Sequence, residues 1–440
     1  MAPRHRLVRL GRPVAAAGPA GTDPSKQYPR HHRQLFLGSP ADLRACRPRL
    51  RGPCRGNRGR WPAADPGARE VTTPAIINRR GALGLLGGAA LTGLGARDAA
   101  ARPEDLNEYW QVWISQHFDP AGRVIDDLQD GVSHSEGQGY GMLLAVALGD
   151  RDRFEAMAAW TRKTLAIREN DALHAWRWDP ANGGKVEDMN NASDGDLFIA
   201  WALTSAADTW NAPEHATAAR AIAADLDRLC LYEFPDRPGW PVLLPGVDGF
   251  RFDDRVVLNT AYPMPRALDA LAARYGLPHL ASCARMSSAI LDALCEDSLP
   301  PDWIEVGQNG IRAASDRPAV FGYEAMRAPL FDIWSGRFNS SAVLQAARLY
   351  REALLSQRAS GAAKTPVVTN VDSWKIIETS AAPGYHALAS LSLCASGTPS
   401  TLGSEPVAMP DFQVAQAYYP STLHLLALVA AAETKLECRL

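Results

Sequence analysis

Apolar residues recur along most of this chain at the three-to-four-residue spacing that is typical of amphipathic α-helices. Loops containing Pro and Gly separate these segments, and the alternating pattern of a β-strand is scarce. The sequence has no repeat of fixed period of the kind that indicates a solenoid. We therefore expect an all-α fold with too many helices for a simple bundle, the predicted segments being about 104–118, 141–149, 151–167, 196–210, 213–230, 263–275, 278–295, 324–336, 340–356, 383–395 and 413–433.

Residues 1–75 break this pattern, because they are rich in Arg, Pro and Gly and have neither a helical nor a strand period. Such a composition predicts disorder. Two further interpretations stay open for this segment. It could be a basic arm that binds nucleic acid, or a translated stretch upstream of the true start site.

Residues 76–101 have the three parts of a signal peptide. Arg79 and Arg80 precede a short apolar run at 82–95, and small residues end the segment. The run is too short to span a bilayer, and its glycines disfavour a buried helix. Adjacent arginines before a mildly apolar core resemble a twin-arginine export signal. We expect an exported protein, periplasmic or secreted, whose folded domain is residues 102–440 and contains no membrane span.

Charge is distributed unevenly along the chain. Residues 1–101 contain 18 basic and five acidic residues, which leaves 28 basic and 43 acidic residues and a net charge of −15 for residues 102–440. A domain this acidic is a poor partner for nucleic acid or anionic lipid. We therefore expect a neutral or cationic substrate.

The cysteines show neither a Cys-x-x-Cys motif nor the spacing of a zinc site. We expect most of them to be buried thiols. An exported protein could form a disulfide, but the sequence alone does not pair its members, which are Cys46, Cys54, Cys230, Cys283, Cys295, Cys394 and Cys438.

Two polar, glycine-containing stretches each present carboxylates where an apolar helix is predicted to begin. In the first, residues 133–142, Glu136 lies among three glycines that let other backbone approach closely. In the second, residues 190–203, Asp194 and Asp196 precede the apolar run. A lone acid at a helix start is usually exposed to water. Two such helix starts suggest an active site built from carboxylates.

The sequences Ser-Glu-Gly-Gln-Gly-Tyr-Gly-Met (135–142) and Ala-Ser-Asp-Gly-Asp (192–196) resemble motifs of glycoside hydrolase family 8. This family contains bacterial cellulases, chitosanases, lichenases and some xylanases, and the resemblance extends over about residues 102–435. It implies an (α/α)6 toroid. It also implies endo-hydrolysis of a β-1,4-glucan with inversion, which requires neither a metal nor an organic cofactor.

By this resemblance Glu136 is the proton donor and Asp194 binds the sugar beside the scissile bond, while Asp196 has a local structural role. The base is less well determined. The family motif Tyr-Asp-Ala-x-Arg matches residues 323–327, but Glu324 replaces the usual Asp. A carboxylate displaced by the extra methylene could lose about 100-fold in rate. Asp253 and Asp254, in the sequence Phe-Asp-Asp-Arg (252–255), are therefore alternative bases.

Several further residues are predicted to bind the substrate. Arg327 would hold a neighbouring carboxylate or a sugar hydroxyl, and loop tryptophans offer flat faces for pyranose rings. Trp176 is the first candidate among the loop residues Trp176, Trp178, Trp240 and Trp303, whereas Trp110 and Trp113 are expected in the core. His134 is expected to support the loop of Glu136. The predicted binding set comprises Tyr140, Trp176, Asn259, Tyr262 and Arg327.

The resemblance is strongest to cellulases of bacterial cellulose-synthesis systems. It suggests trimming of nascent cellulose and a cellulose synthase complex as a partner. Two alternatives remain open at this stage. The acidic domain would suit a chitosanase, and the substitution at Glu324 would suit a carbohydrate-binding protein with impaired catalysis.

Overall fold

The computed structural model describes residues 103–235, 237–307, 310–357, 364–397, 408–414, 416–436 and 438. The predicted disordered segment 1–75 and the predicted signal peptide 76–101 lie outside these residues, as do Cys46 and Cys54.

Helices dominate the described residues, and each of the predicted helical segments has a counterpart among them. Apolar periodicity located these helices because most of them bury one wide face. In chain order they are α1 (Pro103–His117), α2 (Ser135–Ala147), α3 (Arg151–Thr164), α4 (Ser193–Trp210), α5 (Pro213–Asp225), α6 (Pro265–Tyr275), α7 (Pro278–Leu294), α8 (Arg327–Trp334), α9 (Ser341–Gln357), α10 (Pro383–Ala395) and α11 (Tyr418–Thr434).

Six of the helices close a ring. Helix α2 contacts α4, which contacts α6; α6 contacts α8, α8 contacts α10, α10 contacts α11, and α11 returns to α2. Helices α2, α4, α8 and α11 are buried on almost every side. This agrees with their sequences, in which apolar residues are not confined to one face. Outside this ring α1 packs on α11, α3 on α2, α5 on α4, α7 on α6, and α9 on both α8 and α10. The fold is an (α/α)6 toroid, as predicted.

Helix α2 begins at Ser135 rather than near residue 141, so the predicted glycine-rich loop is in fact the first turns of the helix. Glycine lowers helix propensity, but here close packing outweighs it. A Cβ at Gly139 would lie 2.7 Å from the Cβ of Phe198, and one at Gly141 would lie 2.7 Å from Met157 Sδ. The glycines therefore let α2 lie directly against α4 and α3.

Short antiparallel strands join the helices, more than the sequence pattern predicted. Most are only two residues long, too short for alternation to be recognised. Sheets form from β7–β8–β9 and β10–β11–β12, and pairs from β1–β2, β3–β4 and β5–β6. The strands are β1 (Phe118–Asp119), β2 (Arg123–Val124), β3 (Ser133–His134), β4 (Arg177–Trp178), β5 (Leu231–Tyr232), β6 (Val242–Leu243), β7 (Arg255–Asn259), β8 (Trp303–Gly307), β9 (Gly310–Ala313), β10 (Val320–Phe321), β11 (Thr365–Asn370) and β12 (Ile376–Ser380).

Among the described residues a disulfide joins Cys394, at the end of α10, to Cys438, which follows α11. The thiols of Cys230, Cys283 and Cys295 are free and buried, as expected. None of the described helices is long and apolar enough to cross a membrane.

Candidate active site

The first turns of four inner helices meet at one end of the ring. They contribute Glu136 from α2, Asp194 from α4, Arg327 from α8 and Tyr419 from α11. Unpaired backbone N–H groups give the N-terminus of a helix a partial positive charge, which stabilises carboxylates there. The ring therefore places acidic side chains from distant parts of the sequence around a single position.

Arg327 connects the two glutamates. Its Nη1 lies 2.5 Å from Glu136 Oε2 and also donates to the hydroxyl of Tyr140 at 3.0 Å, while its Nη2 donates to Glu324 Oε2. The Arg327 side chain is 2% exposed, whereas those of Glu136 and Glu324 are 18% and 20% exposed. Both glutamates can thus reach a ligand, while the cation between them is buried.

Asp194 lies beside this cation but cannot reach solvent. Its Oδ2 is 3.5 Å from Arg327 Nη1, and its Oδ1 accepts a hydrogen bond from the Gly195 N–H at 2.7 Å. In the ionised form Oδ2 is buried without a hydrogen-bond donor. Burial and the neighbouring charge of Glu136 raise the pKa of Asp194 well above its ordinary value. A proton on Asp194 satisfies both carboxyls, because it forms a hydrogen bond between them.

The pKa of Glu136 moves in the opposite direction. Burial raises it, but Arg327 and His134 outweigh that effect, and the net shift is downward. Glu136 and Asp194 are therefore a pair of strongly interacting acids that share a proton, and their titration belongs to the pair.

A glycine brings these two acids together. A Cβ at Gly195 would lie 2.2 Å from Ser135 Oγ and 2.7 Å from the Glu136 amide nitrogen. Only a residue without a side chain lets the start of α4 touch the start of α2 this closely. The spacing of Glu136 and Asp194 is therefore fixed by backbone packing.

His134 supports the helix start that carries Glu136. Its Nδ1 accepts a hydrogen bond from the Gly137 N–H at 2.9 Å and so caps α2, while its Nε2 faces Asp126 Oδ2 at 3.3 Å. A cap of this kind satisfies an N–H that the helix leaves unpaired. The histidine is thus a structural support of the helix start.

Glu324 is held from a second side by Asn259, at the end of β7. The Asn259 amide donates to Glu324 Oε2 at 3.0 Å, and its oxygen accepts from the Ala261 N–H at 2.9 Å. The ring of Tyr262 lies 5.9 Å from the guanidinium carbon of Arg327. The structure therefore brings Asn259 and Tyr262 to the same site as the acids.

Asp196 faces away from the site although it is close in sequence. It is fully buried, and its Oδ1 accepts from both the main-chain and ring nitrogens of His174 at 2.8 Å. Its Oδ2 accepts from Asn191 Nδ2 at 2.9 Å. These bonds attach the segment before α4 to the helix.

The alternative acids Asp253 and Asp254 lie elsewhere. Both are exposed in the turn before β7, and Asp254 pairs with Arg255 at 2.9 Å. Neither carboxylate is among the groups that contact Arg327. The geometry thus favours Glu324 as the acid opposite Glu136.

The tryptophans differ in their positions. Trp176 is half-buried, its carbonyl accepts from the Ser135 N–H at 2.9 Å, and its indole donates to Asp188 at 3.1 Å. It therefore lies at the edge of the site. Trp303 is on β8 and buried against Phe250, so the expectation of a loop residue there was wrong. Strand pairing, which short segments do not reveal in sequence, explains the difference.

Trp178 is half-buried on β4, so it too differs from the loop residue that was expected, and Trp240 is half-buried in the loop before β6. Trp178 lies edge-on to Trp160 and below the Arg123 guanidinium. Trp110 and Trp113 are in the core, as predicted.

Tyr419 is a site residue that sequence analysis missed. Its hydroxyl donates to the carbonyl of Tyr323, next to Glu324. Burial raises its pKa well above the ordinary value, and the nearby Glu136 and Glu324 add to this shift while Arg327 opposes it. It lies in the Ala-Tyr-Tyr-Pro segment at the start of α11, and two adjacent tyrosines at a helix start were the available indication.

The site thus contains two interacting acids, the buried Asp194 and the partly exposed Glu136, and the partly exposed carboxyl of Glu324 lies on the other side of one guanidinium. An acid together with a second carboxyl is what cleavage of a glycosidic bond requires. Within the described residues no group of three or more His, Cys, Asp or Glu side chains is arranged to hold a metal ion. This set of groups, at the mouth of an (α/α)6 toroid, is that of a glycoside hydrolase.

Sequence comparison gives the family. The sequence model of the glycosyl hydrolases family 8 matches residues 86–433, and the chain belongs to this family. It is 32% identical over 363 residues to a probable endoglucanase of Novacetimonas hansenii, which covers 80% of this chain and 98% of that protein.

Solved structures agree with this assignment. The endo-beta-1,4-glucanase CMCax from Acetobacter xylinum superposes with a TM-score of 0.64 at 30% identity, over 76% of this chain and 100% of that one. Endoglucanase Cel10 from Klebsiella pneumoniae, a family 8 glycosyl hydrolase, superposes with a TM-score of 0.63 at 30% identity, over 74% and 99%.

Proposed function

We propose that this enzyme is an endo-β-1,4-glucanase that hydrolyses cellulose chains with inversion at the anomeric carbon. The observation that carries this proposal is the bridge through Arg327, which has Glu136 on one nitrogen and Glu324 on the other. Two carboxyls separated by such a group suit an acid and a base that act on opposite sides of a sugar. Relatives named as endoglucanases support the choice of glucan.

In this mechanism Glu136 protonates the glycosidic oxygen. The proton comes from the pair that Glu136 forms with Asp194, where the substrate-free protein holds it closer to Asp194. A sugar bound against the partly exposed Glu136 would remove water from this carboxylate and so disfavour its charged form. Its pKa would then rise, and the proton would move to the group that donates it.

Glu324 removes a proton from the attacking water. Its carboxylate is already oriented by Arg327 and Asn259, so little reorganisation is needed when the sugar binds. Both partners contact Oε2, so they fix the end of a side chain that is longer than the Asp of the family motif. Trp176 and Tyr262 are half-buried beside these acids and are the aromatic residues that we expect to contact the sugar, whereas Tyr140 is fully buried and supports Arg327 from inside the protein, contrary to its predicted binding role.

Export and a role in trimming nascent cellulose are finer proposals. The segment 76–101 resembles a twin-arginine signal, and the disulfide between Cys394 and Cys438 is typical of proteins that fold outside the reducing cytoplasm. A protein in this compartment could act on glucan chains as a cellulose synthase complex releases them.

Two substrates test the activity. Purified enzyme should lower the viscosity of carboxymethylcellulose much faster than it releases reducing ends, as expected of an endo-acting enzyme, and should leave chitosan almost intact. A preference for chitosan would contradict the glucanase assignment; the net charge of −15 at residues 102–440 is the property that favours this second candidate. Binding of cellooligosaccharide without any hydrolysis would contradict an enzymatic role.

A further inference from the structure

Asp302 is a buried carboxylate directly behind the turn that carries Glu324. It lies between Pro301 and strand β8 and is 8% exposed. Its Oδ1 accepts hydrogen bonds from the N–H groups of Gly322 and Ala325, both at 2.8 Å. These two donors lie on either side of Glu324 in the sequence. A single oxygen atom therefore fixes the backbone turn from which Glu324 projects.

The main chain of Asp302 connects this turn to the second support of Glu324. Its N–H donates to the Val320 carbonyl at 2.8 Å, and its carbonyl accepts from the Thr260 N–H at 3.2 Å. Thr260 follows Asn259, whose amide donates to Glu324. Asp302 thus contacts both the strand that leads to Glu324 and the segment that carries its hydrogen-bond donor.

The space around Asp302 leaves little freedom for movement. A Cβ at Gly322 would lie 2.6 Å from Asp302 Oδ2, so only glycine permits this contact. Burial, together with the neighbouring charge of Glu324, raises the pKa of Asp302 to about 7. A carboxyl at this position costs stability when it ionises. Burying an ionisable carboxyl lowers stability, so a residue that only fills space would not need one. A role in holding the turn explains the carboxyl better.

We propose that Asp302 is a positioning residue for Glu324. It sets the distance and direction of the Glu324 carboxylate relative to Arg327 and does not itself contact the sugar. The inference rests on the proposed role of Glu324 as the base. The inference also concerns the replacement of the family's Asp by Glu324. The turn that Asp302 holds determines where the carboxylate of this longer side chain lies.

Two substitutions of Asp302 and a matched control test this inference. Asp302→Ala removes both hydrogen bonds to the turn, and kcat should fall about 100-fold because the base is misplaced by the order of 1 Å. Affinity for a cellooligosaccharide should stay close to the wild-type value. Asp302→Asn keeps an oxygen in the same place and should recover most of the lost kcat. As the control, Asp332→Asn alters another buried carboxylate, one that pairs with Arg337, and should leave kcat unchanged.

The readouts separate positioning from simple stability. A folded Asp302→Ala variant with wild-type kcat, or one whose loss is entirely in substrate affinity, would overturn the inference. So would an Asp302→Asn variant as impaired as Asp302→Ala. If Asp302→Ala does not fold, Gly322→Ala displaces the same carboxylate from the other side, and lower kcat at unchanged affinity is again the expected result, whereas wild-type kcat overturns it.

A failure of the proposed function would look different. In that case Glu324→Ala itself would retain activity, or the wild type would release no sugar from cellulose. Failure of the Asp302 inference alone leaves an active wild type and an inactive Glu324→Ala variant.

Discussion

The guanidinium of Arg327 lies 2.5 Å from Glu136 Oε2, so a buried cation holds the carboxyl that we propose as the proton donor. This contact keeps the pKa of Glu136 low against the effect of burial, while the neighbouring Asp194 retains the proton. In the proposed mechanism the proton therefore passes to Glu136 only after a bound sugar has excluded water from its carboxylate.

Glu136→Gln should preserve folding and the binding of cellooligosaccharide, because glutamine keeps the size and hydrogen-bonding capacity of the side chain. We expect kcat on cellulose to fall about 10²–10⁴-fold, the usual contribution of general acid catalysis. An aryl cellooligosaccharide with a good leaving group should suffer less, since it needs less protonation. Glu352→Gln, at an exposed position paired with Arg348, is the control. Near-normal hydrolysis by Glu136→Gln would remove this residue from the mechanism.

Substitutions at Glu324 decide the identity of the base. Glu324→Ala should abolish hydrolysis while oligosaccharide affinity changes little, and Glu324→Asp should be partly active because Arg327 and Asn259 are placed for the longer side chain. Asp254→Ala removes the exposed alternative acid and should behave like the wild type. Steady-state kinetics and calorimetric binding measure the two effects. A mild Glu324→Ala and a severe Asp254→Ala or Asp253→Ala would reverse the assignment.

The configuration of the first product tests inversion directly. A base on the opposite side of the sugar from Glu136 delivers water to that side, so the new reducing end should be the α-anomer. Proton NMR of a cellooligosaccharide digest, recorded before mutarotation, shows which anomer forms first. An initial β-anomer would mean retention and would exclude Glu324 as a base that activates water.

Asp302 makes stability depend on pH. Its pKa is 3.8 in an unfolded chain and about 7 in the folded protein, so its contribution to stability is fully present below pH 3.8 and is lost as the pH rises through 7. Between pH 4 and pH 8 the wild type should lose on the order of 4 kcal/mol relative to Asp302→Asn. Urea unfolding of both proteins at several pH values measures this difference. The exposed Asp253→Asn serves as a control, and a difference that does not change with pH would contradict the burial of an ionisable Asp302.

Export can be tested on the full chain. We expect the mature protein to begin near Arg102 and to lie outside the cytoplasm, which N-terminal sequencing establishes. Replacing both Arg79 and Arg80 by Lys should block a twin-arginine pathway, whereas Arg97→Lys should not. A cytosolic protein that retains Met1 would contradict the hypothesis.

Much of the fold was predictable because the inner helices are continuous apolar segments and the outer ones are amphipathic. The start of α2 was not predictable, because the low helix propensity of Gly137, Gly139 and Gly141 argues against a helix there. Contacts with α3, α4 and Tyr418 reverse that preference, and such contacts are invisible in a single sequence.

The candidate site likewise contains residues that the sequence could predict and residues that it could not. Glu136, Asp194 and Glu324 stand in motifs, so resemblance to a family located them. Asp302 stands in none: after two prolines it has the sequence context of an ordinary loop acid. Its importance depends on which backbone N–H groups it meets, and that depends on a long-range approach of Gly322 and Ala325. The pairing of Cys394 with Cys438 depends on similar long-range geometry.

The contact between α11 and α2 closes the ring by joining its first and last members. Tyr419 and Glu136 are neighbours because of this contact, so the proposed catalytic centre is complete only once α11 has packed against α2. Contacts so distant in sequence slow folding. Recovery of hydrolysis during refolding should consequently lag behind recovery of helix content. The rate at which activity returns would then report closure of the helix ring.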